Sequence, residues 1–116
     1  MRLNHPQGRA AEDAALAYLS AQGCVLLARN WHCPYGEIDL IMRHGDTIAF
    51  IEVKYRRTPA YGGAAYSITP AKLAKITRSA ELYLLQNHQN GDCPCRIDAV
   101  LIEGGGPPVW YRNITG

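Results

Sequence analysis

No apolar run in the chain approaches the roughly 18 residues that a membrane-spanning helix needs, and the opening MRLNHPQGRAAEDAA has no apolar centre of a secretory signal. These absences predict a cytoplasmic protein with no membrane part. Charge is sparse, at 19% of residues against 47% hydrophobic, which excludes the highly charged, weakly hydrophobic composition of disordered chains. Cysteine is also scarce. The four stand at 24, 33, 93 and 95, and the last pair is C-P-C, one residue short of the C-x-x-C clasp of zinc sites. A reduced intracellular chain of 116 residues can bury a core without disulfides or zinc, so the thiols read as small, partly buried side chains. Neither repeats nor low-complexity linkers occur, and the length predicts one domain. The net charge of +2 names no partner. Its distribution says more, because acidic residues are missing from positions 53 to 80 while Lys54, Arg56, Arg57, Lys72, Lys75 and Arg78 lie there.

Along the chain, Ala11, Ala14, Ala15, Tyr18 and Leu19 recur at helical spacing, predicting a helix from Gly8 to Gln22 stopped by Gly23. Val25 to Trp31 reads as a strand, followed by a turn at Cys33-Pro34-Tyr35-Gly36. Glu37 to Arg43 alternates, with Ile38, Leu40 and Met42 expected on one face and Glu37, Asp39 and Ile41 on the other. Thr47 to Tyr55 is a second strand. If Gly45-Asp46 makes a two-residue turn, paired positions sum to 91, so that Asp39 faces Glu52 and Glu37 faces Lys54. Residues 56 to 68 form a long Gly- and Tyr-containing connection, a length often associated with function. Thr69-Pro70 caps a helix running to about Asn87, and Arg96 to Glu103 and Val109 to Ile114 close the series as strands.

The chemistry concentrates in Glu37, Asp39, Glu52 and Lys54. Charges on a strand face are ordinarily solvated, but Glu52 and Lys54 interrupt the apolar run Ile48 to Tyr55, and burying unpartnered charge costs several kcal/mol. Opposed carboxylates with Cβ atoms roughly 5 Å apart repel unless a cation lies between them. Hard Mg²⁺ suits such oxygens, and Lys54, two residues beyond Glu52, would share their face. Glu12 falls on the helical stripe of Ala15, Leu16 and Leu19, where a carboxylate also asks for a partner.

Asp39 followed by Glu52-Val53-Lys54 resembles the PD-(D/E)xK nuclease pattern. The wider strings G-E-I-D-L-I (Gly36 to Ile41) and F-I-E-V-K-Y-R (Phe50 to Arg56) resemble the YraN family of bacterial endonuclease-like proteins, itself similar to archaeal Holliday junction resolvases. The resemblance extends over essentially the whole chain and takes in Gly8, Glu12, Lys72 and Arg96-Ile97-Asp98. Ile38 stands where the motif name has proline, a variable position. The resemblance implies Asp39 and Glu52 as metal ligands for Mg²⁺ or Mn²⁺, Glu12 as the helical acid completing the metal set, and Lys54 as the catalytic lysine. Glu37 would support the site, while Asp98 reads as structural, bonded to nearby backbone.

The expectation is an α/β domain of order αβββαββ, restriction-endonuclease-like, with a mixed sheet flanked by helices. Its expected activity is hydrolysis of DNA phosphodiesters by water activated by the metal, on branched or distorted DNA, with a homodimer supplying two sites related by a dyad. Arg56, Arg57, Lys72, Lys75 and Arg78 would meet phosphates, and Tyr61 and Tyr66 would stack on bases or pack on the sheet. The alternative is a non-catalytic nucleic-acid-binding protein on the same scaffold.

Overall fold

Helix α1 (Pro6–Ala21) ends as its sequence predicts. Gly23 takes a φ of 95°, and the amides of Gly23 and Cys24 donate to the carbonyls of Ser20 and Leu19 at 3.1 and 3.0 Å, satisfying the last turn. The computed structural model describes residues 6–57, 68–87 and 93–115. Within them α1 is followed by β1 (Val25–Cys33), β2 (Gly36–His44), β3 (Thr47–Arg56), α2 (Pro70–Asn87), β4 (Cys95–Glu103) and β5 (Val109–Tyr111). The order αβββαββ is the expected one, with β5 shorter than foreseen. Tyr61 and Tyr66 lie outside the described residues.

The five strands form one mixed sheet in spatial order β1-β2-β3-β4-β5. β1, β2 and β3 are an antiparallel meander, β3 and β4 run parallel, and β5 returns antiparallel to β4. A parallel pair requires a crossover, which α2 supplies. Its start is set locally, since Thr69 Oγ1 accepts the Lys72 amide at 3.1 Å, as the Thr-Pro signal predicts. β3 and β4 are covered on both faces, which explains their nearly continuous apolar runs.

Alternate residues feed two cores. On one face Leu40, Met42, Ala49, Ile51, Val100 and Ile102 pack with Ala11, Ala15 and Leu19 of α1. On the other, Ile41, Ile48, Phe50 and Ile97 pack with Ile76, Ala80 and Tyr83 of α2. Glu52 and Lys54 continue the Ile48 and Phe50 face and therefore point toward α2.

The hairpin register sums to 91 from His44↔Thr47 to Leu40↔Ile51, as the turn predicts. Two expectations built on it need correction. The ladder stops at Leu40↔Ile51, so Asp39 and Glu52 are not a directly opposed pair, nor are Glu37 and Lys54. Alternation also resets, because Ile38 lies with Ile41 in the α2 core instead of with Leu40 and Met42. The cause is in β1, where Asn30 adopts a left-handed φ of 51° between Arg29↔Leu40 and Trp31↔Ile38. That distortion falls opposite Asp39 and turns both strands over between their flanking residues. β1 shows the matching reset, with Ala28 and Trp31 both packed on the α2 core.

Asp98, fully buried on β4, anchors the chain's far end. Its carboxylate accepts from Arg96 Nε (3.0 Å), Trp110 Nε1 (3.0 Å) and the Asn113 amide (2.9 Å), tying β4 to β5 and the segment beyond. The structural role expected for Asp98 is met, with two side chains added to the backbone bond.

Candidate active site

Once β2 and β3 cease pairing, a β3 amide needs another acceptor. Asp39 provides it, with Oδ2 accepting from the Val53 N–H at 2.8 Å. This bond holds the Asp39 carboxylate beside the Glu52 strand segment even though the two residues are not ladder partners. Both acids are buried, at 4% and 8% exposure. Burial, and next the charge of Asp39, push the Glu52 carboxyl up from its usual value to about 7.

Two lysines face this pair. Lys72, in the first turn of α2, places Nζ 2.6 Å from Glu52 Oε1. Burial opposes its charge, but the hydrogen bond and charge of Glu52 outweigh that cost and raise its pKa overall. Lys54 shows the opposite net direction. Burial lowers its pKa first and the neighbouring Lys72 ammonium second, with Glu52 only partly offsetting them. The site therefore contains two acids and two bases, with Glu52, Lys54 and Lys72 each shifted by burial and by its neighbours. Lys72 is the residue whose place the sequence reading missed: its spacing with Lys75 and Arg78 suggested a phosphate-binding stripe, and only the packing of α2 against β3 shows that it reaches Glu52.

Other expected members have partners of their own. Glu12, 5% exposed on α1, is 3.6 Å from Arg29 Nη2, which also meets Asp13 at 2.7 Å. Together with Arg9, Arg29 and Asn30 it lines a small cleft. Among the described residues, no group of three or more His, Cys, Asp or Glu side chains is close enough to hold a metal ion, so Glu12 does not join Asp39 and Glu52 in such a group. Glu37 pairs with His32 Nε2 at 3.1 Å, beside the β1–β2 turn, and does not face Lys54. Arg56 follows Lys54 on the same side of β3 and adds to the positive charge felt there. Arg57, Lys75 and Arg78 are exposed, with Lys75 and Arg78 on successive turns of α2 above Lys72.

The donor chemistry of Asp39 and Glu52 fits a hard divalent cation. Two buried carboxylates, the charge of Asp39 helping to raise the proton affinity of Glu52, suit Mg²⁺ or Mn²⁺, ions that keep several waters and take only one or two protein carboxylates. Without such an ion, Lys72 compensates Glu52.

The model of the uncharacterised protein family UPF0102 matches residues 11–102, a span that includes both acids and both lysines. The chain belongs to this family. A UPF0102 protein of Neisseria gonorrhoeae is 66% identical over 116 residues, covering all of both chains. The UPF0102 protein of Nitrosomonas eutropha is 48% identical over 107 residues, 92% of this chain and 90% of the relative. That of Pseudomonas entomophila is 46% identical over 110 residues, 91% and 89% respectively. This is the YraN family named by the sequence resemblance, now shown from α1 to β4. Among the described residues of this UPF0102 chain, no helix is long and apolar enough to cross a membrane.

Proposed function

We propose that this UPF0102 protein is a metal-dependent DNA endonuclease that hydrolyses phosphodiesters in branched or distorted DNA. The observation that carries the reading is the convergence of buried Asp39 and Glu52 beside Lys54 where β2 and β3 part. Asp39 and Glu52 would hold the cation, which when bound lowers the pKa of water and offsets charge on the phosphate. Lys54, whose charged form is disfavoured by burial, has an amine suited to orient attacking water and accept its proton at Nζ. Lys72 balances Glu52 and adds positive charge toward an incoming phosphate. Arg56, Arg57, Lys75 and Arg78 supply further phosphate contacts around the pair. A homodimer would present two such sites to a symmetric junction.

The alternative is a DNA-binding protein that keeps the scaffold without turnover. It is favoured by the Lys72–Glu52 contact of 2.6 Å, which already neutralises one acid, and by Glu12 being engaged with Arg29. The two separate in one experiment. Purified protein is incubated with four-way junction, flap, single-stranded and linear duplex DNA, with Mg²⁺, Mn²⁺ or chelator, beside Asp39→Asn and Lys54→Ala. Cleavage that needs metal and both side chains supports the nuclease. Binding without cleavage of any substrate supports the alternative, and neither binding nor cleavage refutes both.

A further inference from the structure

Aromatic side chains in the described part of the chain are mostly engaged with one another or buried. Trp31 and Phe50 each meet Tyr83 edge-on, and Trp110 meets Tyr18 and His44. Tyr35 differs. It sits at the β1–β2 turn and is 45% exposed, more open than any other Phe, Tyr or Trp among the described residues. Its ring is approached by the Arg78 guanidinium, 5.9 Å from the ring centroid. The turn is fastened to the same helix by Cys33 Sγ, which donates to Ser79 Oγ at 3.2 Å, and by the Trp31–Tyr83 contact at 5.4 Å. An exposed aromatic is thus held in fixed relation to α2.

Tyr35 and Arg78 together divide two open clefts. One, of about 410 Å³, is completed by Pro34, Ala74 and Lys75. The other, also about 410 Å³, is completed by Glu81, Leu82 and Leu85. Their size suits a small planar group. Charge chooses between them for a nucleotide, because the first adds Lys75 to the shared Arg78 whereas the second adds Glu81, which would repel phosphate. Position then relates the chosen cleft to the carboxylate pair. Arg78 is six residues beyond Lys72 on α2, a rise of about 9 Å at 1.5 Å per residue.

From these placements we infer a base-stacking subsite: an unpaired nucleobase lies on Tyr35 in the cleft toward Lys75, while Lys75 and Arg78 hold the flanking phosphates. The inference rests on the proposed action on DNA and deepens it by giving the substrate an unpaired nucleotide close to the acids. Stacking tolerates any base because every base has a flat face. A fully paired duplex cannot offer its base without unstacking, so the subsite favours single-stranded or branched DNA over intact duplex.

The test measures binding, independent of cleavage. Fluorescence anisotropy is read in chelator at low salt with a labelled single strand and with the same sequence as duplex, for wild type, Tyr35→Ala and Tyr35→Trp. A single strand carrying 2-aminopurine reports stacking by quenching. Tyr35→Ala should weaken single-strand binding roughly 5- to 150-fold, the range for loss of one stacked base, and abolish the quench. Tyr35→Trp should retain both, and duplex binding should stay within about twofold across the three proteins. Unchanged single-strand affinity in Tyr35→Ala, or equal loss on both DNA forms, overturns the subsite. If Tyr35→Ala binds single strands normally while wild type still cleaves DNA with metal, the subsite falls and the nuclease reading stands. Wild type that binds no single strand overturns the subsite, and wild type that in addition cleaves no DNA with metal overturns both.

Discussion

Replacing Glu52 by Gln should make the metal-free protein more stable, and increasingly so as pH rises. In the folded chain Glu52 is 8% exposed and its carboxyl is pushed up to about 7 from an ordinary 4.5, first by burial and then by Asp39. A raised pKa means that folding favours the protonated acid. The stability associated with this proton is therefore complete below about pH 4.5 and is lost as pH rises through about 7. A shift of that size corresponds to about 3 kcal/mol at the alkaline end, at 1.36 kcal/mol per unit. The upward shift of Lys72 lies above an ordinary 10.5 and leaves this window untouched. Urea denaturation of wild type and Glu52→Gln in chelator, at about pH 4 and about pH 8.5, cancels the titrating groups outside this site. The gap between the two proteins should widen in favour of the variant by about 3 kcal/mol. With Mn²⁺ in excess the order should reverse at high pH, because an ion bound to the ionised acids stabilises only the protein that has both. A gap that stays constant with pH in chelator would refute the description of Glu52 as a buried, electrostatically strained acid.

Asp39 separates charge from hydrogen bonding. In chelator at about pH 8, Asp39→Asn should raise stability by about 1 kcal/mol by relieving Glu52, and Asp39→Ala should fall below Asp39→Asn because the Val53 amide loses its acceptor. Thermal or urea unfolding of the two variants reads this order. Asp98→Ala should cost roughly 3 to 5 kcal/mol by urea denaturation, since it leaves Arg96, Trp110 and Asn113 donors unmatched at a fully buried position. For DNA binding, four phosphate contacts from Arg56, Arg57, Lys75 and Arg78 correspond to a log-log salt slope of about −3.6 on duplex, and Arg57→Ala should reduce its magnitude by about 0.9, read by titration across salt concentrations.

Several elements were legible before any coordinates because their signals are local. Gly23 ends α1, Thr69 caps α2, and Gly45-Asp46 sets the hairpin register, each through backbone groups within a few residues. Two acids were legible by contradiction, since Glu12 and Glu52 occupy positions where the surrounding pattern demands apolar side chains, while Asp39 was legible from its place in the motif, and all three are buried. What misled was the assumption that alternation continues unbroken. Asn30 carries no obvious strand-breaking signal beyond its tolerance of the left-handed region, yet its φ of 51° falls opposite Asp39, where alternation resets and the β2–β3 ladder has already ended.

Lys72 marks the same boundary from the other side. Along the helix it is indistinguishable from Lys75 and Arg78, and a residue's neighbours along the chain cannot tell which of three cations will meet a carboxylate twenty positions upstream. The pattern of residue types by itself determined the order of elements, the two-faced sheet and the identity of the acids, because hydrophobic period and turn chemistry act over short separations. The tertiary structure alone decided which charges meet, that the Glu52 carboxyl is pushed up, and that Tyr35 stands exposed beside Arg78. Those outcomes depend on how α2 and the β1–β2 turn pack across the sheet, where a shift of an ångström alters the strength and partner of every charge involved.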